Sequence, residues 1–138
     1  MKKQAFLCPC GSKRRYQQCC QKYHEGYPPE HALCLMRSRY CAYALQLADY
    51  IISTTDRSNP SYSSDKKKWR EDILQFCRST HFERLEILEF VDGMEEATVT
   101  FRAFLKQGLN DVSFSEKSHF VKVEGKWLYK NGDYSPLK

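Results

Sequence analysis

Four of the seven cysteines in this 138-residue chain lie within one short stretch, CPCGSKRRYQQCC. Cys8, Cys10, Cys19 and Cys20 make the pattern C-x-C-x8-C-C. Thiols at that density can hold a metal ion, form a redox couple or pack as small apolar groups. A redox pair of Cys8 and Cys10 leaves Cys19 and Cys20 without a role, and four free surface thiols would invite oxidation for no gain. Metal ligation uses all four. Structural zinc takes four thiolate or imidazole ligands in a tetrahedron, with zinc–sulfur distances of about 2.3 Å. Pro9 and Gly11 allow the sharp turn that two ligands one residue apart demand. The KRRYQQ segment is long enough for one or two helical turns that return Cys19 and Cys20 to the same ion. His24 is an alternative to one cysteine, and an iron–sulfur cluster is an alternative to Zn2+. So small a head has almost no core. Metal binding, worth roughly 10–16 kcal/mol in small zinc modules, would supply its folding energy.

The charge follows the cysteines. Residues 1–27 hold six basic side chains against Glu25 alone, which accounts for the whole net charge of +5. Lys13, Arg14, Arg15 and Lys22 offset the negative charge of a four-thiolate site and offer a basic surface to an acidic partner. The start of the chain has an apolar run of only three residues, Ala5 to Leu7, far short of the roughly 7 to 15 of a signal-peptide core. No run approaches the roughly 18 to 20 residues of a membrane span. The expectation is a cytoplasmic protein with reduced thiols, which sets aside a disulfide framework. Cys34, Cys41 and Cys77 lie apart in apolar-periodic stretches and read as core residues.

Behind the head, Tyr27-Pro28-Pro29 interrupts regular structure, dividing a head of residues 1–27 from a body of residues 28–138. From Glu30, the residues Ala32, Met36, Tyr40, Tyr43 and Leu47 line one face of a helix running to about Ala48. A loop near Asp56–Ser64 precedes a second helix, Asp65 to Arg78, with Trp69, Ile73 and Phe76 or Cys77 inward. Lys66, Lys67 and Lys68 at its start read as a solvated run. From His81 the period becomes two. Leu85, Ile87, Glu89 and Val91 form one side of a first strand, and Ala97, Val99, Phe101, Ala103 and Leu105 one side of a second. A third spans Val112 to Val123, and Glu124-Gly125 turns the chain into a fourth at Trp127-Leu128-Tyr129. Helices followed by a four-stranded meander give an α+β domain, with helices on one face of an antiparallel sheet.

CPCGSKRRYQQCC resembles a SEC-C motif, the small zinc module at the C-terminal tail of the translocation ATPase SecA and in other bacterial proteins. The likeness rests on Cys8, Cys10, Gly11, Ser12, the basic stretch, Tyr16, Cys19 and Cys20. Residues 35–51 (LMRSRYCAYALQLADYI) resemble the region after that motif in the YchJ family, and residues 118–133 (SHFVKVEGKWLYKNGD) resemble that family's last strands. The resemblance implies a nuclear-transport-factor-two-like body, a cone of helices wrapped by a curved sheet. Many YchJ-like proteins end in a second SEC-C motif. This sequence has no cysteine after Cys77, so no function needing two metal heads is expected.

Folds of this cone type often keep a pocket between the helix and the inner sheet face, and some relatives are isomerases or dehydratases. Fold alone assigns no chemistry. If Phe101 faces the core, strand parity places Phe114, Glu116, Ser118 and Phe120 inward, with Arg39 or Tyr40 as the partner that a buried carboxylate needs. His119 falls on the opposite face. No Ser/His/Asp set, HExxH motif or phosphate loop is present. The reading is a non-enzymatic binding protein that uses its basic zinc head. Likeness to the SecA tail implies the acidic chaperone SecB, ribosomes or other anionic surfaces as partners, and the head offers no long helix for sequence-specific DNA reading. The alternative is a small-molecule binder or enzyme using Tyr40, Glu116 and Ser118.

Overall fold

A computed structural model describes residues 6–137; Lys2, Lys3 and Ala5 at the basic start of the chain lie outside them, as does Lys138. Among the described residues, a 3-10 turn (Tyr16–Gln18) and helix α1 (Gln21–His24) form the head with its loops. The helices α2 (Ala32–Ala44), α3 (Ala48–Ser53) and α4 (Lys66–Arg78) precede the strands β1 (His81–Val91), β2 (Glu96–Gln107), β3 (Asn110–Asp111), β4 (Phe114–Val123) and β5 (Lys126–Pro136). None of these helices is long and apolar enough to cross a membrane.

The strict alternation along β2 makes it the centre of the sheet. Ala97, Val99, Phe101, Ala103 and Leu105 are all buried. The strand order is β1-β2-β4-β5, antiparallel throughout, and the two-residue β3 pairs with the end of β2 where the sequence predicts a turn. The sequence expectation fails in detail along β1. Register shifts between Phe82 and Arg84 and between Ile87 and Glu89 change the parity twice. Phe82, Leu85, Ile87 and Phe90 therefore meet the core, while Val91 is exposed. A bulge adds a residue to one strand, and everything beyond it swaps faces.

Helix α2 packs Leu35, Met36 and Tyr40 against Val99, Phe101, Phe120 and Trp127 of this sheet. It also ends sooner than its apolar periodicity suggests. Gln46 has φ +64. Leu47 N–H donates to Ala42 O at 2.8 Å and Gln46 N–H to Tyr43 O at 3.2 Å, the bond pair of a Schellman ending, with glutamine where glycine is usual. The chain then restarts as α3. On α4, the Asp65 side chain accepts from Lys68 N–H and caps the helix, so helical geometry begins one residue later, at Lys66. Trp69, Ile73 and Cys77 face a second core with Ala42, Ala48 and Ile51. Phe76 is part-exposed yet meets Tyr43 and Phe82 edge-on. Lys68 lies 3.3 Å from Asp72, in keeping with a solvated basic run.

Arg39, also on α2, ties three elements together. Its Nη1 donates to Ile51 O and to the Thr54 and Thr55 hydroxyls at 3.1, 2.7 and 3.1 Å, while its guanidinium lies over the Tyr129 ring at 4.6 Å. Backbone bonds from Asp56 N–H to Tyr129 O and from Tyr129 N–H to Thr54 O complete this seam.

Candidate functional site

The head is a loop folded back on itself. Leu7 bridges Arg15, Cys8 N–H donates to Arg14 O, and Tyr16 N–H donates to Phe6 O. This brings Cys8 and Cys10 beside the short turns that carry Cys19 and Cys20. Gly11 takes φ +83, with Leu85 O 3.1 Å from where a Cβ would sit; there a glycine is needed for both conformation and space. The four sulfur atoms all lie within 4.8 Å of one another, with Cys10 and Cys19 at 3.6 Å and Cys19 and Cys20 at 4.0 Å. A tetrahedron with arms of about 2.3 Å has edges of about 3.8 Å, so the donor set fits one tetrahedral ion. Cys8, Cys10 and Cys20 are buried and Cys19 is half-buried.

Groups outside the cysteine pattern complete the surroundings. Ser12 Oγ lies 3.2 Å from Cys19 Sγ. Arg37 on α2 donates to Cys10 O at 2.8 Å and has Nη1 4.0 Å from Cys10 Sγ, so the body contributes a cation beside a thiolate-rich site. Cys41 Sγ lies 3.7 Å from Cys8 Sγ. Cys41 is fully buried, as the sequence predicts, but it packs under the head's cysteines together with Tyr16 and Leu45. The neighbouring thiols of Cys10, Cys20 and Cys41, the last accepting a hydrogen bond from Cys8, hold the Cys8 thiol below the ordinary thiol range. The nearby Cys10 thiol pushes Cys20 up, and burial pushes Cys19 up to about 11.

His24 does not join the cysteine cluster. It bridges head and body instead. Its Nε2 donates to Ser38 O at 2.9 Å, which leaves Nδ1 to accept from the Tyr16 hydroxyl at 2.7 Å. Burial lowers its pKa from the ordinary 6.5, because a charged ring loses its water there. A folded-state value below the unfolded one means that this bridge contributes fully above pH 6.5 and is lost as pH falls through the lowered value. Urea unfolding from about pH 7 down to about pH 5 should therefore show a steeper loss of stability in the wild type than in His24→Gln, with metal content followed in parallel. Equal slopes would remove His24 as the cause.

Lys13, Arg14 and Arg15 are exposed at the loop tip, and none of them forms an ion pair among the described residues. Lys22 differs. Its ammonium lies 3.6 Å from Glu30 and 5.1 Å from the centres of both the Tyr23 and Tyr27 rings, so its charge is turned toward the join with the body.

Tyr40, Glu116 and Ser118 line a second site, an apolar cavity of about 200 Å³ between α2, α4 and the inner face of the sheet. The partners of Glu116 are not the expected Arg39 or Tyr40. Ser118 Oγ and the Tyr129 hydroxyl both donate to Oε2, at 2.6 and 2.7 Å. Arg39 is held by Thr54, Thr55 and Ile51, and the buried Tyr40 hydroxyl has no hydrogen-bond partner among the described residues. His119 lies on the outer face, 3.2 Å from Asp133. Gly132, opposite Ser118 on β5, leaves the space that the Glu116 carboxylate fills, and an added Cβ would collide with it. Gly132→Ala is thus expected to cost about 1–2 kcal/mol by displacing that carboxylate from its two donors. The same change in a Glu116→Ala background should cost little, and a full double-mutant cycle by urea unfolding reads the difference.

A four-cysteine head seated on helices packed against an antiparallel sheet is the arrangement of a SEC-C-headed protein with a nuclear-transport-factor-two-like body. Residues 7–22 match the family model of the SEC-C motif, and residues 31–132 match that described as "YchJ, middle NTF2-like domain". The chain belongs to the YchJ family. A UPF0225 protein of Vibrio parahaemolyticus is 37% identical over 94% of this chain and 76% of its own length. A UPF0225 protein of Streptomyces coelicolor is also 37% identical, over 92% of this chain and 94% of its own. The solution structure of a SEC-C motif containing protein from Rhodopseudomonas palustris superposes with a TM-score of 0.77 and 30% identity, covering 91% of this chain and 96% of that one.

Proposed function

We propose that the head holds one structural Zn2+ through Cys8, Cys10, Cys19 and Cys20, and that the protein is a cytoplasmic, non-enzymatic binding module. The zinc-braced loop presents Lys13, Arg14 and Arg15 to an acidic partner, a chaperone of the SecB kind or a ribosome-associated surface. One observation carries this reading. Three adjacent basic side chains stand exposed on a loop fixed by the cysteine cluster, with no acidic partner among the described residues. An all-thiolate tetrahedral donor set favours zinc over hard cations, which take oxygen ligands. The head's helical segments have three and four residues, too short to read a DNA major groove.

Basic side chains on a rigid support speed encounter and make binding salt-sensitive. The test measures binding of the full-length, zinc-loaded chain to purified SecB and to ribosomes at low and at physiological salt. Affinity for one of them should fall about tenfold or more with salt, and Lys13→Glu/Arg14→Glu/Arg15→Glu should abolish it at unchanged zinc content. Salt-independent binding, or binding that survives the triple reversal, overturns the reading.

A further inference from the structure

The body holds a built cavity that the head's proposed role does not use. Its volume of about 200 Å³ exceeds the roughly 150 Å³ of an engineered protein cavity that binds benzene, so it suits a molecule of roughly six to ten non-hydrogen atoms. Its wall is mostly aromatic, with Tyr43, Phe82, Phe101 and Phe114 among the rings. A core that only had to be filled would close this space, since interiors pack with few voids larger than water.

The polar groups in that wall are few and specifically placed. Glu116 is fixed from three sides, by Ser118, by Tyr129 and by the missing side chain of Gly132. Both hydrogen bonds land on Oε2; no hydrogen bond from a described residue reaches Oε1. Two neutral donors on one oxygen orient a carboxylate without neutralising it, and no described cation comes within 4.0 Å to form a salt bridge. The cation that also lines the cavity is Arg39. Its Nη1 is directed to Ile51, Thr54 and Thr55, and its flat face is covered by the Tyr129 ring. The hydroxyl of Tyr40, a residue only 6% exposed, has no hydrogen-bond partner among the described residues. A buried polar group without a partner is costly, and a bound molecule can supply one.

We infer that this cavity is a binding site for a small amphipathic amine, with its apolar body among the aromatic rings and its ammonium group on Oε1 of Glu116. A preoriented carboxylate attracts the charge, and ring faces attract cations as well. An anion would meet the open carboxylate oxygen. A neutral molecule of the same shape would gain the apolar contact alone.

The test uses the full-length chain, isotope-labelled for two-dimensional NMR, titrated with three probes of one shape: benzylammonium, benzyl alcohol and benzoate. Benzylammonium should shift signals from residues around Glu116 and Phe101 and bind about tenfold more tightly than benzyl alcohol, with benzoate weakest. In Glu116→Gln the preference for the amine should vanish while benzyl alcohol binding stays. Ala103→Leu, which fills the cavity from β2 without touching Glu116, should remove all three. No binding by any probe, equal binding of amine and alcohol, or stronger binding of benzoate each overturns the inference. The wild-type ranking decides the matter even if a variant fails to fold.

Discussion

Replacing Cys19 and Cys20 together with serine is expected to take the metal content of the purified chain from about one ion to none and to unravel the head. The size of the effect follows from what holds residues 6–27 in place. Their buried residues are chiefly the cysteines themselves with Tyr16 and Tyr23, and the attachment to the body runs through Cys41, Leu45, Arg37 and the His24 bridge. These contacts amount to a few kcal/mol. A structural zinc contributes roughly 10–16 kcal/mol in small modules, so the metal dominates. The body should keep its fold, since its main cores lie among α2–α4 and the sheet. Elemental analysis beside an NMR spectrum checks both halves, with head signals collapsing and body signals persisting. Cys41→Ser supplies the control. Its sulfur touches Cys8 but lies outside the group of four, so this variant should keep its metal. Loss of metal in Cys41→Ser, or retention in the double variant, would show that a different set of thiols holds the ion.

The four cysteines were legible in the sequence because their chemistry is local. Spacing within thirteen residues, with Gly11 at the turn, constrains where the sulfur atoms can meet. The groups around them were not legible, because Arg37 and Cys41 reach the head across a helix packing that no spacing rule encodes. A cysteine on an apolar stripe reads as core, and Cys41 is core; what the sequence does not show is that this core is the floor of the metal site. The same division holds in the body. Unbroken alternation in β2 identified its inward face and, through pairing, that of Phe114, Glu116, Ser118 and Phe120. Along β1 the two bulges carry no strong residue signal, so the inward set drifted by one after each. At the end of α2 a glutamine occupies the left-handed position, and without the usual glycine the break was hidden inside an apolar stripe. The partners of Glu116 were missed for a simpler reason. Ser118 follows on the same face of its own strand, while Tyr129 approaches across β4 and β5, past the register shift at His119 and Phe120.

Arg39→Met is expected to destabilise the body by about 3 kcal/mol, and Arg39→Lys by no less. Arg39 is 8% exposed and carries its charge into the seam where α2, α3 and β5 meet. Charge-assisted hydrogen bonds are each worth about 1.5–3 kcal/mol, but the three here share one nitrogen, so they count for less than their number. Stacking on Tyr129 adds about 0.5–2 kcal/mol. Methionine recovers part of the packing and leaves little unsatisfied, since the Thr54 and Thr55 hydroxyls donate to backbone carbonyls of their own. Lysine keeps the charge but has neither the planar face for Tyr129 nor a donor fork of the same shape, and its ammonium is more strongly hydrated. Urea unfolding of the three proteins gives the order. A lysine variant as stable as the wild type would mean that charge alone, rather than the shape of the guanidinium, holds the seam. The consequence reaches the cavity, because the ring that Arg39 covers carries the hydroxyl that holds Glu116. Both substitutions should therefore weaken benzylammonium binding without changing the metal content of the head.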